Sequence, residues 1–208
     1  MTEHDVPDNL QLVLPSSEVL NEVSQELSTA EITSPETQAI LDQMFDVARG
    51  EQGDSSRPTL VGLAAPQVGV SKRIIIVGTN AIGMGEEPEL KEFINPVITH
   101  QAAETELGRE GCFSAGKVCG IVERAHEVKI VAFDRHGNKV ADTLTGFPAR
   151  IFQHEVDHLD GIRFPDRITD ATRLHWVPKN QFGEYRKHWQ EWAQLCTKEE
   201  WEAVKLGK

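Results

Sequence analysis

The chain has 208 residues, of which 39% are hydrophobic and 26% are charged, and its formal net charge is −12. This length accommodates one domain with a full hydrophobic core, so we expect residues 1–208 to form a single domain. The acidic balance argues against direct nucleic-acid binding, because nonspecific binding to phosphates requires a basic surface. No apolar run has the length of a membrane span, so we expect no association with a membrane.

Residues 1–33 are predicted to be a loosely ordered start. Residues 1–14 lack the basic and apolar regions of a signal peptide, which predicts a cytoplasmic protein. An N-terminal helix is expected after Ser34, a capping residue, with Pro35 in its first turn and Gly50 at its end. We expect this helix to pack on the body of the domain.

The apolar segment 60–67 (Leu-Val-Gly-Leu-Ala-Ala-Pro-Gln) is predicted to be extended. Gly62 and the two alanines leave room for the close approach of a ligand or of another backbone segment. Gln67 carries both a donor and an acceptor. From this segment alone it is interpreted as a turn residue at the surface.

The middle of the chain is predicted to be rich in β-strands. Segments 73–77, 93–99, 118–122 and 126–134 contain many β-branched residues, and 139–144 is predicted to be the returning strand of a hairpin. Asn95 and Pro96 interrupt the second of these segments. Proline cannot donate to a β-ladder, so this segment is predicted to be an edge strand.

A His-Glu-x-x-His motif follows the hairpin, at residues 154–158. Pro148 suits the first turn of a helix and Gly161 suits its end, which predicts a helix over the motif. His154 and His158 would then lie on one helical face, where two imidazoles can bind one divalent metal. Glu155 would lie beside that metal and could handle the proton of a water molecule.

Residues 184–208 are predicted to form a C-terminal helix. Tyr185, Trp189, Trp192 and Cys196 recur along it at helical spacing, which predicts an apolar stripe docked on the body of the domain. A stripe that binds a partner is the alternative interpretation.

A catalytic metal site requires a third protein ligand. From the residues alone the candidates are Cys112 upstream of the motif and Asp166, Asp170 and His175 downstream of it. The chain has three cysteines. An odd number argues against a disulfide framework and for at least one thiol with another role.

Three segments occur in a characteristic order: 61–67 (Val-Gly-Leu-Ala-Ala-Pro-Gln), 110–114 (Glu-Gly-Cys-Phe-Ser) and 153–158 (Gln-His-Glu-Val-Asp-His). Together they resemble the three motifs of the peptide deformylases, and the resemblance extends over residues 34 to about 168. The chain departs from the family pattern at Leu60, at Ala115-Gly116 and near Cys119, where bacterial members often carry an arginine. These departures concern the substrate cleft.

The resemblance implies an α+β fold in which small, largely antiparallel sheets surround a central metal-bearing helix. It implies a metal-dependent hydrolase that removes the N-formyl group from the N-terminal methionine of newly synthesised proteins and releases formate. Fe²⁺ is the expected metal, with Zn²⁺, Ni²⁺ or Co²⁺ as substitutes. The expected partners are N-formylmethionyl peptides and nascent chains, together with the ribosome.

The same resemblance implies roles for individual residues. Cys112, His154 and His158 would bind the metal, and Glu155 would pass a water proton to the leaving amine. The Gln67 amide and the Phe113 backbone N–H would stabilise the tetrahedral oxyanion. The expected substrate-binding wall comprises Val61, Gly62, Gly111, Phe113, Arg150 and Ile151.

Two rival functions remain open at this point. A zinc endopeptidase would use a downstream third ligand and cleave internal peptide bonds. A non-enzymatic paralogue would have lost part of the metal set, although Cys112, His154, Glu155 and His158 are all present. Asp157 is interpreted either as a solvated charge or as a partner of Arg124 that anchors the motif helix.

Overall fold

The computed structural model describes residues 9–50, 59–83 and 87–208. Residues 1–8, 51–58 and 84–86 lie outside this range. The α-helices of the described residues are α1 (Thr29–Ile32), α2 (Pro35–Arg49), α3 (Gly146–Leu159), α4 (Phe164–Arg167), α5 (Phe182–His188) and α6 (Lys198–Leu206). The strands are β1 (Gly62–Ala64), β2 (Ile74–Gly78), β3 (Leu90–Gln101), β4 (Thr105–Gly111), β5 (Val118–Ala125), β6 (Glu127–Phe133), β7 (Lys139–Thr145) and β8 (Leu174–Trp176).

The strands form two antiparallel sheets, one of five strands in the order β1-β2-β3-β6-β7 and one of three in the order β4-β5-β8. Helix α3 packs against β1 and β2 of the larger sheet and also contacts β5 of the smaller one. The predicted α+β fold, with antiparallel sheets around the motif helix, is confirmed. No helix among the described residues is long and apolar enough to cross a bilayer.

Strand β2 is buried on both faces because a helix covers each side of it. Ile75 and Val77 belong to the core on the α3 side, whereas Ile74 and Ile76 belong to the core on the α2 side. This double coverage explains why the strand is a continuous apolar run instead of an alternating one. It also fixes the position of α3 relative to β1, the strand that opens the first motif.

Strand β3 is a central strand of the larger sheet, paired with both β2 and β6, so the prediction of an edge strand was wrong. The sheet tolerates the Asn95-Pro96 interruption through an irregularity between Ile94 and Val97. Asn95 has a positive φ of 48°. Its side chain accepts from the Leu27 N–H at 2.9 Å and donates to the Leu27 carbonyl at 2.7 Å.

The described part of the N-terminal segment is ordered, unlike the loose start that was expected. Leu10, Leu20 and Leu27 are buried, and the Ser24 N–H donates to the carbonyl of Leu159 at the end of α3 at 2.8 Å. A short 3₁₀-helix spans Glu18–Asn21. Scattered leucines without a helical or strand period gave no sequence signal for this packing.

The C-terminal segment also differs from the single helix expected over 184–208. Helix α5 is followed by a 3₁₀-helix, Trp189–Glu191, and then by extended chain up to the Thr197 cap of α6. The extended part hydrogen-bonds along β8: Cys196 N–H donates to the Leu174 carbonyl at 2.9 Å. The predicted stripe is therefore divided between two apolar clusters.

Arg163 joins distant parts of the chain just after α3. Its guanidinium donates to the carbonyls of Pro15 (2.6 Å) and Ser114 (3.0 Å) and to the Asn21 side chain (2.8 Å). It also lies 4.8 Å from the ring centroid of Trp201, which is fully buried on α6. Pro15 and Asn21 near one end of the chain and Trp201 near the other thus contact the segment that follows the third motif.

Candidate metal centre and active site

Helix α3 presents its two histidines on one face, as predicted. The His154 and His158 rings lie one helical turn apart, with centroids separated by 5.0 Å. The opposite face carries Phe152 and Leu159 into the core beneath the larger sheet. The helix ends before Gly161, whose φ of 70° favours glycine. A helix buried on both sides holds the imidazoles on a rigid support.

Cys112 supplies a third donor to the same point. It follows β4 with an extended backbone, and its Sγ lies 3.4 Å from His158 Nε2. The donor atoms of Cys112, His154 and His158 all lie within 4.8 Å of one another. One thiolate and two imidazoles form a donor set suited to a divalent transition metal. The residues present therefore fit such an ion.

The downstream candidates for a third ligand lie elsewhere in the fold. Asp166 accepts from the Trp201 indole N–H at 2.7 Å. His175 Nδ1 lies 3.0 Å from the Tyr185 hydroxyl. Asp170 caps a short 3₁₀-helix through the Thr172 N–H. In the described part of the chain none of the three belongs to the cysteine–histidine group.

Glu110 fixes the orientation of His154. Its Oε2 lies 2.8 Å from His154 Nδ1, and a carboxylate only accepts, so Nδ1 carries the proton and Nε2 keeps its lone pair for a ligand. Burial alone would raise the pKa of Glu110. Two hydrogen bonds from Arg124 and the contact with His154 outweigh burial and hold that pKa well below its usual range.

Arg124 connects this carboxylate to the motif helix. It donates to both Glu110 oxygens at 2.9 Å and to Asp157 Oδ2 at 2.6 Å. The predicted pair with Asp157 is therefore confirmed, and Asp157 is buried, not solvated. Arg167 also donates to Asp157. Sequence reasoning missed Glu110 as a site residue, although it begins the second motif two positions before Cys112.

Glu155 is buried, with 4% of its surface exposed, and lines the cleft beside Cys112 and His154. Burial raises the pKa of its carboxyl to about 7. Its Oε2 has no hydrogen-bond partner among the described residues. A carboxyl in this state can accept a proton near neutral pH and release it again.

Gln67 is buried and its side-chain amide is fixed at both ends, unlike the surface turn residue that its own segment suggested. Its Oε1 accepts from the Ala64 N–H at 2.7 Å. Its Nε2 lies 3.1 Å from Cys112 Sγ and 3.3 Å from Ser114 Oγ. The donor end of the amide is therefore directed at the thiolate side of the site.

A cleft of about 520 Å³ opens in front of these groups. Its lining includes every residue of the expected substrate wall, namely Val61, Gly62, Gly111, Phe113, Arg150 and Ile151. The Arg150 guanidinium is largely engaged inside the protein, because it donates to Glu110 and to the carbonyls of Glu106 and Val122. The cleft is also lined by residues that sequence reasoning did not select, among them Phe147, Arg109 and Arg186.

A family model described as polypeptide deformylase matches residues 10–174. The chain belongs to the peptide deformylase family. The peptide deformylase of Desulfitobacterium hafniense is 41% identical over 163 residues, which cover 78% of this chain and 97% of that protein. Peptide deformylase 1A, chloroplastic/mitochondrial, of Arabidopsis thaliana is 34% identical over 180 residues, or 81% of this chain and 63% of that protein.

Solved structures agree with the family assignment. The Met-Ala-Ser-bound class I type b peptide deformylase from Acinetobacter baumannii has 36% identity and a TM-score of 0.68, covering 78% of this chain and 100% of that one. The peptide deformylase from Thermotoga maritima has 30% identity and a TM-score of 0.65. The deformylase is thus a metal-dependent hydrolase that removes the N-formyl group from the N-terminal methionine of newly synthesised proteins and releases formate.

Proposed function

We propose that this peptide deformylase binds one divalent metal ion through Cys112, His154 and His158, and that the ion is Fe²⁺, with Zn²⁺, Ni²⁺ or Co²⁺ as substitutes. The observation that carries the proposal is the convergence of the three donors within 4.8 Å, beside the buried carboxyl of Glu155. When bound, the cation would supply Lewis acidity and lower the pKa of water toward neutrality.

Glu155 then acts as the proton carrier. Its carboxyl accepts the proton of the attacking water and delivers that proton to the nitrogen of methionine as the C–N bond breaks and formate leaves. A carboxyl with a pKa of about 7 suits both directions of transfer. Glu110 and Arg124 contribute indirectly, because they hold the His154 ring in place.

Gln67 and Phe113 stabilise the charge that develops on the formyl oxygen. The Gln67 amide cannot turn away, since the Ala64 N–H holds its oxygen, so its N–H donors stay on the thiolate side of the site. The Phe113 backbone N–H follows Cys112 directly and would be the second donor. Two preorganised donors of this kind favour the transition state over the planar substrate.

The methionine and the residues after it occupy the cleft lined by Val61, Gly62, Gly111, Phe113, Arg150 and Ile151. Two of these are glycines, whose missing side chains leave room for an extended peptide backbone. The solved relative with Met-Ala-Ser bound supports a peptide in the corresponding cleft. A formyl carbon carries only hydrogen, so a narrow site excludes acetyl groups by size.

The natural substrates in this proposal are nascent chains that begin with formylmethionine. The protein acts on them in the cytoplasm, at or near the ribosome, as a single catalytic domain over residues 1–208. Support comes from the substrate itself, which exists only on newly made chains. Cosedimentation of the purified protein with ribosomes tests the association, and its absence at low salt would contradict that part of the proposal.

The deciding experiment compares three peptides with the metal-loaded protein: formyl-Met-Ala-Ser, acetyl-Met-Ala-Ser and Met-Ala-Ser. Formate should be released from the first, and the acetyl peptide should be nearly untouched. Comparable rates on the formyl and acetyl peptides would contradict the assignment, as would no turnover with Fe²⁺ or Ni²⁺ bound. Cleavage of the Met-Ala or the Ala-Ser peptide bond would instead indicate an endopeptidase.

A further inference from the structure

Two arginines lie at the same cleft without an acidic partner. Arg109 is half-buried on β4 and Arg186 is exposed on α5, and both line the cleft that contains Glu155. Within the described ranges neither guanidinium forms an ion pair or a hydrogen bond with another residue. Burial and the charge of Arg186 both lower the pKa of Arg109, which reflects how close the two cations are.

Helix α5 lies outside the family match, which ends at residue 174, so Arg186 is an addition to the cleft by the C-terminal segment. Tyr185, which precedes Arg186 on this helix, anchors the helix to the rest of the domain. It is 3% exposed and its hydroxyl lies 3.0 Å from His175 Nδ1. The Tyr185 ring also packs edge-on against Trp192, with centroids 5.3 Å apart. Arg186 is therefore held at the cleft by a packed helix and not carried on a free tail.

The Arg109 and Arg186 guanidiniums are two positive charges at one cleft, although the chain as a whole has a net charge of −12. Without a counter-ion they repel each other, and an anion between them would relieve that repulsion. Guanidinium groups bind carboxylates with paired, charge-assisted hydrogen bonds. Glu87, an exposed acidic residue of the cleft lining, forms no ion pair with either arginine in the described structure.

We propose that Arg109 and Arg186 recognise a carboxylate of the substrate downstream of its formylmethionine, either an Asp or Glu side chain or the carboxyl terminus of a short peptide. The inference rests on the proposed position of the formyl group beside Glu155. With the formyl end held there, the rest of an extended peptide continues along the cleft, where it meets both guanidiniums. The pair thus makes the enzyme selective for acidic residues near the start of the nascent chain.

The test uses matched substrates with the full-length, metal-loaded enzyme at low ionic strength. Formyl-Met-Ala-Glu-amide, formyl-Met-Ala-Gln-amide, formyl-Met-Ala-Lys-amide and formyl-Met-Ala-Gln with a free carboxyl terminus separate the two sources of the carboxylate. For the wild type, kcat/KM on at least one carboxylate-bearing peptide should be about three- to tenfold higher than on the glutamine amide. The difference should lie in a lower KM. Added salt should reduce that preference.

Arg186→Ala should lose the preference through a higher KM for the carboxylate-bearing peptides, whereas Arg186→Glu should prefer the lysine peptide. The matched control is Lys187→Ala, at the adjacent exposed cation, which pairs with the exposed Glu184; this variant should keep the wild-type preference. Equal kcat/KM on all four peptides by the wild type would overturn the inference, as would a preference that survives in Arg186→Glu. Because the neutral peptide is measured alongside, these results are distinct from a failure of the proposed active site, which would abolish turnover of every formylated peptide.

Discussion

Gly62 lies directly against the carboxyl group of Glu155. A Cβ atom at position 62 would be 2.9 Å from Cδ of Glu155 and 2.7 Å from Cγ2 of Ile151, closer than real Cβ atoms approach other groups. The first strand of the larger sheet thus limits where the Glu155 carboxyl can lie. The glycine of the first motif thus leaves room for the Glu155 carboxyl and also lines the cleft.

Gly62→Ala should displace the Glu155 carboxyl and lower kcat by about a hundredfold, because misplacing a reacting group by about 1 Å has an effect of that order. Overpacking should also reduce the free energy of unfolding by about 1–3 kcal/mol. Bound metal should remain near one ion per chain. Steady-state kinetics, thermal unfolding and metal analysis of one preparation measure the three effects.

The matched control is Gly183→Ala, at a helical glycine whose added Cβ would meet nothing within 4 Å. It should leave kcat unchanged and stabilise α5 slightly, by about 0.5–1 kcal/mol. If Gly62→Ala retained wild-type kcat, the contact with Glu155 would have no catalytic consequence.

Glu155→Ala should keep the metal and lose most of the activity, by roughly a hundred- to ten-thousand-fold in kcat. The carboxyl makes no hydrogen bond to a metal donor in the described structure, so its removal leaves Cys112, His154 and His158 in place. Metal analysis and formate release are the measurements. A loss of less than tenfold would assign proton transfer to another group.

Cys112→Ser should lose or weaken the bound metal and abolish turnover, because a thiolate ligand depends on its charge and geometry. Cys119→Ser and Cys196→Ser should keep wild-type metal content and change only stability. Both thiols are buried, at 2% and 1% exposure, and lie in apolar clusters. Metal analysis after dialysis separates the three variants. Full metal in Cys112→Ser with loss in either of the others would contradict the proposed ligand set.

Cys119 and Cys196 should resist alkylation in the folded protein at pH 8. Burial raises the pKa of Cys119 to about 12 and that of Cys196 to about 11, so almost no reactive thiolate is present. In unfolded chains thiols titrate near 8.5. Burial of these thiols therefore favours the folded state less as pH rises above about 8.5, where unfolded thiols ionise. Mass spectrometry after iodoacetamide treatment, with and without urea, should show both sites modified only in urea.

Arg124→Ala should lower the free energy of unfolding by roughly 3–5 kcal/mol, because it removes one partner from a buried ionic network. Glu110 would lose two charge-assisted hydrogen bonds and Asp157 would lose one. Activity should fall too, since Glu110 orients His154. Urea unfolding provides the measurement. Lys91→Ala, which removes an exposed ion pair to Glu89, is the control and should change stability by less than about 1 kcal/mol. Similar losses of unfolding free energy in the two variants would show that the buried Arg124 network stabilises the fold no more than an exposed ion pair does.

The site was more predictable from sequence than the surrounding fold. His154 and His158 share one helix, so their spacing alone specified their relative position. Glu110 was missed because its contact with His154 joins segments 44 positions apart, and no local pattern encodes that distance. Asn95-Pro96 led to the wrong prediction of an edge strand. The Asn95 side chain is hydrogen-bonded to the backbone of Leu27, which is also far away in sequence. Arg186 gave no signal, since only the packing of α5 brings it to the same cleft as Arg109.

The contacts of Arg163 affect the order in which parts of the enzyme can fold during synthesis. Pro15 and Asn21 are synthesised before Arg163, whereas Trp201 is synthesised after it. Synthesis proceeds from the N-terminus at about 5–20 residues per second. The segment that follows Cys112, which Arg163 holds through the Ser114 carbonyl, therefore receives its full support only after α6 has been made. In an enzyme that acts on newly synthesised proteins, the segment after Cys112 thus depends on a helix that is translated long after it.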